Sequence, residues 1–169
     1  LKSWNKISGS GFDVKLGAIV RPFESSPFRI GAAVHTPIFY NLTYTTSARL
    51  EADVFLDNDD KTTPFDVDTY DEVGDMKREF SLRTPWTYNL SLGYTVGSSL
   101  AIGAEYEYED YSTTRFIYPE GDEMEYETNE AKLCLKVAHS VRLGAEYKVI
   151  PQFAFRAGYN FTSTAFKKD

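Results

Sequence analysis

In the stretch FSLRTPWTYNLSLGYTVGSSLAIGAEYE, residues 80–107, polarity alternates with a period of two. One row reads Phe80, Leu82, Thr84, Trp86, Tyr88, Leu90, Leu92, Tyr94, Val96, and the interleaved row Ser81, Arg83, Pro85, Thr87, Asn89, Ser91, Gly93, Thr95. After Gly97-Ser98-Ser99 the pattern resumes, with Leu100, Ile102, Ala104, Tyr106, Tyr108 set against Ala101, Gly103, Glu105, Glu107, Glu109. Successive side chains of a β-strand point to opposite faces, so this spacing predicts two strands, each with one apolar face, joined by a tight turn. Both runs exceed the five or six residues usual for a globular strand. About ten residues with an unbroken apolar face is what a membrane-spanning β-strand requires.

The same pattern occurs on either side. Phe12, Val14, Leu16, Ala18, Val20 form one row before the turn PFESSP (residues 22–27), and Phe28, Ile30, Ala32, Val34, Ile38, Tyr40, Leu42, Tyr44 form another after it. Pro37 interrupts that second strand and predicts a bulge there. Leu133, Leu135, Val137, Val141, Leu143, Ala145, Tyr147, Val149 and then Phe153, Phe155, Ala157, Tyr159, Phe161 give a third pair. The expected fold is therefore all-β, an antiparallel up-and-down meander of six strands in three hairpins at about 11–47, 79–110 and 131–167. Residues 1–10 carry no clear period and are expected to lead in from an earlier element. The connections alternate between short turns and two long acidic loops at about 48–78 and 111–129, the first with a short strand extension near 50–55. Transmembrane barrels show that asymmetry, with short turns at one end and long loops at the other.

Composition fits a barrel without proving one. The mean hydropathy of −0.38 looks soluble, but inward polar residues of a barrel cancel outward apolar ones in the average. Twelve Tyr, twelve Phe and two Trp make up 15% of the chain, an enrichment suited to strands and to aromatic girdles at membrane interfaces. A net charge of −7 supplies no basic footprint for nucleic acid. The single Cys134 gives no intrachain disulfide and no zinc-type cluster.

The polar rows hold the lumen-facing candidates Arg29, Arg83, Asn89, Glu105, Glu107, Arg142, Glu146 and Arg156. On a lipid face an Arg or Lys near the midplane costs about 2–4 kcal/mol, whereas inward these charges pair with one another. The apolar rows hold the girdle candidates: Tyr40, Tyr44, Trp86, Tyr106 and Tyr159 toward the long-loop ends, and Tyr94, Tyr147 and Phe153 toward the short turns. Mostly aliphatic residues lie between. Gly17 and Gly31, Gly93 and Gly103, and Gly144 and Gly158 flank the short turns on the polar face, where glycine implies a need for room.

The segments Pro85-Trp86…Leu92-Gly93-Tyr94, Arg142-Leu143-Gly144-Ala145-Glu146-Tyr147 and Phe155-Arg156-Ala157-Gly158-Tyr159 resemble the C-terminal half of the FadL-type outer-membrane transporters. These are the long-chain fatty-acid and hydrophobic-compound channels of Gram-negative bacteria, and the chain looks in particular like Bacteroidetes members labelled hemin receptors. The resemblance spans most of residues 11–167. It implies a barrel of about 14 strands, plugged by an N-terminal hatch, that passes hydrophobic compounds through a lateral opening. About six of those strands and no hatch are expected within this sequence.

Chemistry-bearing residues are sparse. His35 is expected on a polar row and His139 on an apolar one, so they do not converge on a haem. Cys134 is expected between Lys132 and Lys136 on the polar face, with no base beside it. Asp57, Asn58, Asp59 and Asp60 lack the glycine and distal glutamate of a calcium loop. No metal site, cofactor or enzymatic activity is therefore expected. The expected partners are the bilayer, lipopolysaccharide and a hydrophobic small molecule, with a protein partner allowed and nucleic acid not. Passive uptake through an outer-membrane channel is the leading expectation. The alternatives are a structural or anchoring outer-membrane barrel in a secretion assembly and a soluble β-sandwich or lipocalin-like binding domain.

Overall fold

Alternating polarity becomes antiparallel pairing along nearly the whole chain. The computed structural model describes residues 2–49, 51–54, 65–68 and 74–168. Its strands are β1 (Lys2–Phe12), β2 (Lys15–Val20), β3 (Arg29–His35), β4 (Phe39–Arg49), β5 (Glu51–Val54), β6 (Phe65–Asp68), β7 (Met76–Arg83), β8 (Thr87–Val96), β9 (Leu100–Asp110), β10 (Arg115–Ile117), β11 (Val137–Ile150) and β12 (Phe153–Thr162). A 3-10 turn spans Tyr111–Thr113 and a helix, α1, spans Glu125–Cys134.

A six-stranded sheet runs β12-β11-β9-β8-β3-β2, a four-stranded sheet runs β1-β4-β7-β10, and β5 pairs with β6. Neighbours in the first sheet continue as neighbours in the second. β1–β2, β3–β4, β7–β8 and β9–β10 are thus halves of long strands, and with β11 and β12 they make a six-stranded meander interrupted at one level. Neither sheet closes on itself: β2 and β12 are the outer strands of the larger one.

Two of the four interruptions, between β7 and β8 and between β3 and β4, fall at a proline. The unbroken run expected across residues 80–96 stops at Arg83 and restarts at Thr87, because Pro85 has no N–H for the ladder. Pro37 acts likewise between β3 and β4. A threonine precedes each proline and repairs the gap. Thr36 accepts from the Val14 amide on Oγ1 (3.0 Å) while its own N–H donates to the Val14 carbonyl (3.0 Å). Thr84 repeats this against Ile38, at 2.8 and 3.2 Å. Side-chain hydroxyls thus replace backbone acceptors where the ladder fails.

Three further segments differ from expectation. Residues 2–12 form a full strand, registered with β4 from Lys2↔Arg49 to Phe12↔Phe39. Their two rows both mix polar and apolar side chains, so pairing is set by the backbone and no period marks it. The first long loop is shortened from both sides by β4 and β7 and holds the β5–β6 pair. The second contains the 3-10 turn, β10 and the start of α1. Leu133 and Cys134, expected in a strand, end that helix instead. The sequence EYETNEAKLC carries good helix formers, with Glu125 and Glu127 in the first turn and Lys132 in the last, where the helix dipole favours those charges. α1 covers the free edge of β10. The Phe116 amide donates to Thr128 Oγ1 (3.1 Å), its carbonyl accepts from the Met124 amide (2.8 Å), and Thr128 is fully buried. A covered edge cannot template pairing with another chain.

Little of the chain is core. Among the described residues the buried apolar side chains are Ile117, Met124 and Ala138. The accessible surface is 12892 Å² for 19.2 kDa, whereas a compact monomer of that mass exposes about 8,400 Å².

Candidate functional site

The six-stranded sheet has two chemically distinct faces, and register places their residues in rows. On the polar face one row joins Lys15, His35, Thr87 and Glu109. The next joins Ala33, Asn89, Glu107, Ser140 and Thr162, and a third joins Gly31, Ser91, Glu105, Arg142 and Asn160. Glu105, Glu107 and Glu109 are successive residues of β9 on this face. Arg142 on β11 forks between them: it pairs with Glu105, and its Nη1 and Nη2 donate to Glu107 at 3.2 and 3.1 Å. With its amide nitrogen turned to the carboxylate, Asn89 adds a bond to Glu107 from β8 (3.1 Å). Glu109 accepts from Thr87 Oγ1 (3.3 Å). Mainly burial, and then the nearby Glu109 carboxylate, push the Tyr111 hydroxyl up to about 12. Ser140 and Thr162 bond to each other at 3.0 Å. A pocket of about 260 Å³ opens here, lined among others by Glu107, Glu109, Tyr111, Ser140, Arg142 and Thr162.

One row further toward the short turns the polar face is bare. Gly93, Gly103, Gly144 and Gly158 are cross-strand partners on four successive strands, with Arg29 opposite Gly93. A Cβ at Gly144 would meet nothing within 4 Å. The glycines expected as pairs flanking the turns are therefore largely one transverse strip, and no crowding within the chain demands glycine at Gly144. Below the strip Glu146 accepts from Arg156 Nε (2.5 Å) and lies 3.7 Å from Lys148 Nζ.

Of the eight charged or polar candidates, the structure gathers Asn89, Glu105, Glu107 and Arg142 into one network and Glu146 with Arg156 into another. Arg29 makes no ion pair among the described residues. Arg83 lies apart, at the break in the strand, with its guanidinium 5.6 Å from the Phe39 ring centroid. Spacing within single strands could not reveal the Arg142 fork, since it depends on the β9–β11 register. Alternation places Thr87 and Ser140 on the polar rows, whereas Tyr111 lies beyond the end of β9.

The other face is apolar and open. Along β8, Tyr88, Leu90, Leu92, Tyr94 and Val96 are 50, 51, 44, 41 and 51% exposed, while Thr87, Asn89, Ser91, Gly93 and Thr95 between them are more sheltered. The cross-strand partners of Leu90 and Leu92 extend the surface through Tyr106, Val141, Leu143 and Tyr159. Among the girdle candidates Tyr94, Tyr147 and Phe153 lie near the short turns, Tyr147 and Phe153 more than half exposed. Trp86 stands at the break, and Tyr106 bonds His139 Nδ1 through its hydroxyl (2.7 Å) on this face. Tyr159 sits mid-strand opposite Leu143. Tyr40 and Tyr44 belong to β4, beyond the break, and are half-buried.

Cys134 is exposed at the end of α1 and not on a strand between two lysines. His35 stays on the polar face and His139 on the apolar one. No group of three His, Cys, Asp or Glu side chains among the described residues could hold a metal ion, and the Asp57–Asp60 segment lies outside those residues. The arrangement presents a sheet with cross-strand ion pairs on one face and exposed apolar side chains on the other. No known family profile matches the chain, and no curated protein matches it.

Proposed function

We propose that this chain is part of the wall of a FadL-type β-barrel in a Gram-negative outer membrane, and that the barrel passes hydrophobic small molecules such as long-chain fatty acids without bond chemistry. The observation that carries this reading is the polarity of β8, a middle strand of the meander: its apolar row is the exposed one and its polar row the sheltered one. Water would penalise that arrangement by about 25 cal/mol for each Å² of apolar surface, whereas lipid accepts it.

Dimensions support the same reading. The ten residues of β8 rise about 34 Å, and a strand tilt near 40° reduces this to about 26 Å, close to the apolar band of about 25 Å in such barrels. The Thr–Pro breaks then fall at the membrane boundary, with the four-stranded sheet and α1 beyond it on the long-loop side. Lipid also forbids unpaired strand edges, so β2 and β12 require further strands to complete the wall. The polar face, with its Arg142 and Glu146 networks, becomes the lumen, and the ion pairs of Arg142 and Arg156 run between neighbouring strands.

Paired substitutions test the membrane part. Leu92→Arg should cost about 2–4 kcal/mol and deplete the heat-modifiable folded band of the full protein on SDS gels. Ser91→Arg on the polar row should leave that band in place. Equal tolerance of both would remove the lipid face. Growth and uptake on a long-chain fatty acid in a deletion strain test the transport part, and unchanged uptake would remove it while leaving the barrel.

A further inference from the structure

We draw no further inference here: the strongest candidate, the strip of bare backbone at Gly93, Gly103, Gly144 and Gly158 crossing four strands on the polar face beside Arg29, is a stripe of small residues, and nothing in the structure shows what covers it.

Discussion

Arg142 carries more of the polar face than any other side chain. It holds two carboxylates of β9 from β11, and Glu107 is the more sheltered of the two, at 19% side-chain exposure. Arg142→Leu would leave Glu105 and Glu107 facing each other without a counter-charge. The Arg142 side chain is itself 42% exposed, so solvent screens the pair. The expected loss is about 1–2 kcal/mol, read as a lower urea midpoint of the detergent-folded protein. The double variant with Glu107→Gln should lose less than the sum of the single losses; strict additivity would show that the fork contributes nothing. Tyr111 predicts a pH dependence. Its phenol titrates near 12 in the fold against about 10 in an unfolded chain. Its contribution is complete below about pH 10 and is lost as pH rises toward 12, because the unfolded state gives up its proton first. Stability measured across that window should fall less steeply for Tyr111→Phe than for the parent. At this scale the sequence was partly legible. The row to which Arg142 belongs could be read from alternation, but its partners could not, because β9 and β11 are joined by 26 residues of turn, strand and helix.

The elements were legible where a period of two ran unbroken, as in β8, β9 and β12. They were obscured where backbone chemistry outweighed pattern. Pro85 keeps its place in an alternating row, so polarity alone runs straight through it, yet the missing N–H ends the ladder. The hydroxyls of Thr36 and Thr84 are what keep neighbouring strands joined across these gaps. Thr84→Val preserves shape and removes the acceptor for the Ile38 amide. The expected cost is about 1 kcal/mol, with faster hydrogen exchange at Ile38 than in the parent; an unchanged exchange rate would show that the hydroxyl is dispensable. β1 was hidden for the opposite reason, since both of its rows are of mixed polarity and only pairing with β4 defines it. α1 was hidden because a strand pattern beginning at Leu133 overlaps the end of a helix whose own signals lie upstream, at Glu125 and Glu127.

For the molecule as a whole, the sequence made the meander, its two faces and its uneven connections readable. It did not make readable the second sheet, which depends on where the strands break and is not a local property. The central claim is that the apolar face meets lipid. It is tested most directly by single nitroxide labels at each position from Thr87 to Val96, in the full protein reconstituted into bilayers with Cys134→Ser. Collision rates with oxygen, which concentrates in lipid, should be high at Tyr88, Leu90, Leu92 and Tyr94 and low at Asn89, Ser91 and Gly93, with the opposite phase for a water-soluble nickel chelate. Accessibility to the nickel chelate at the even positions, or no alternation, would contradict the account.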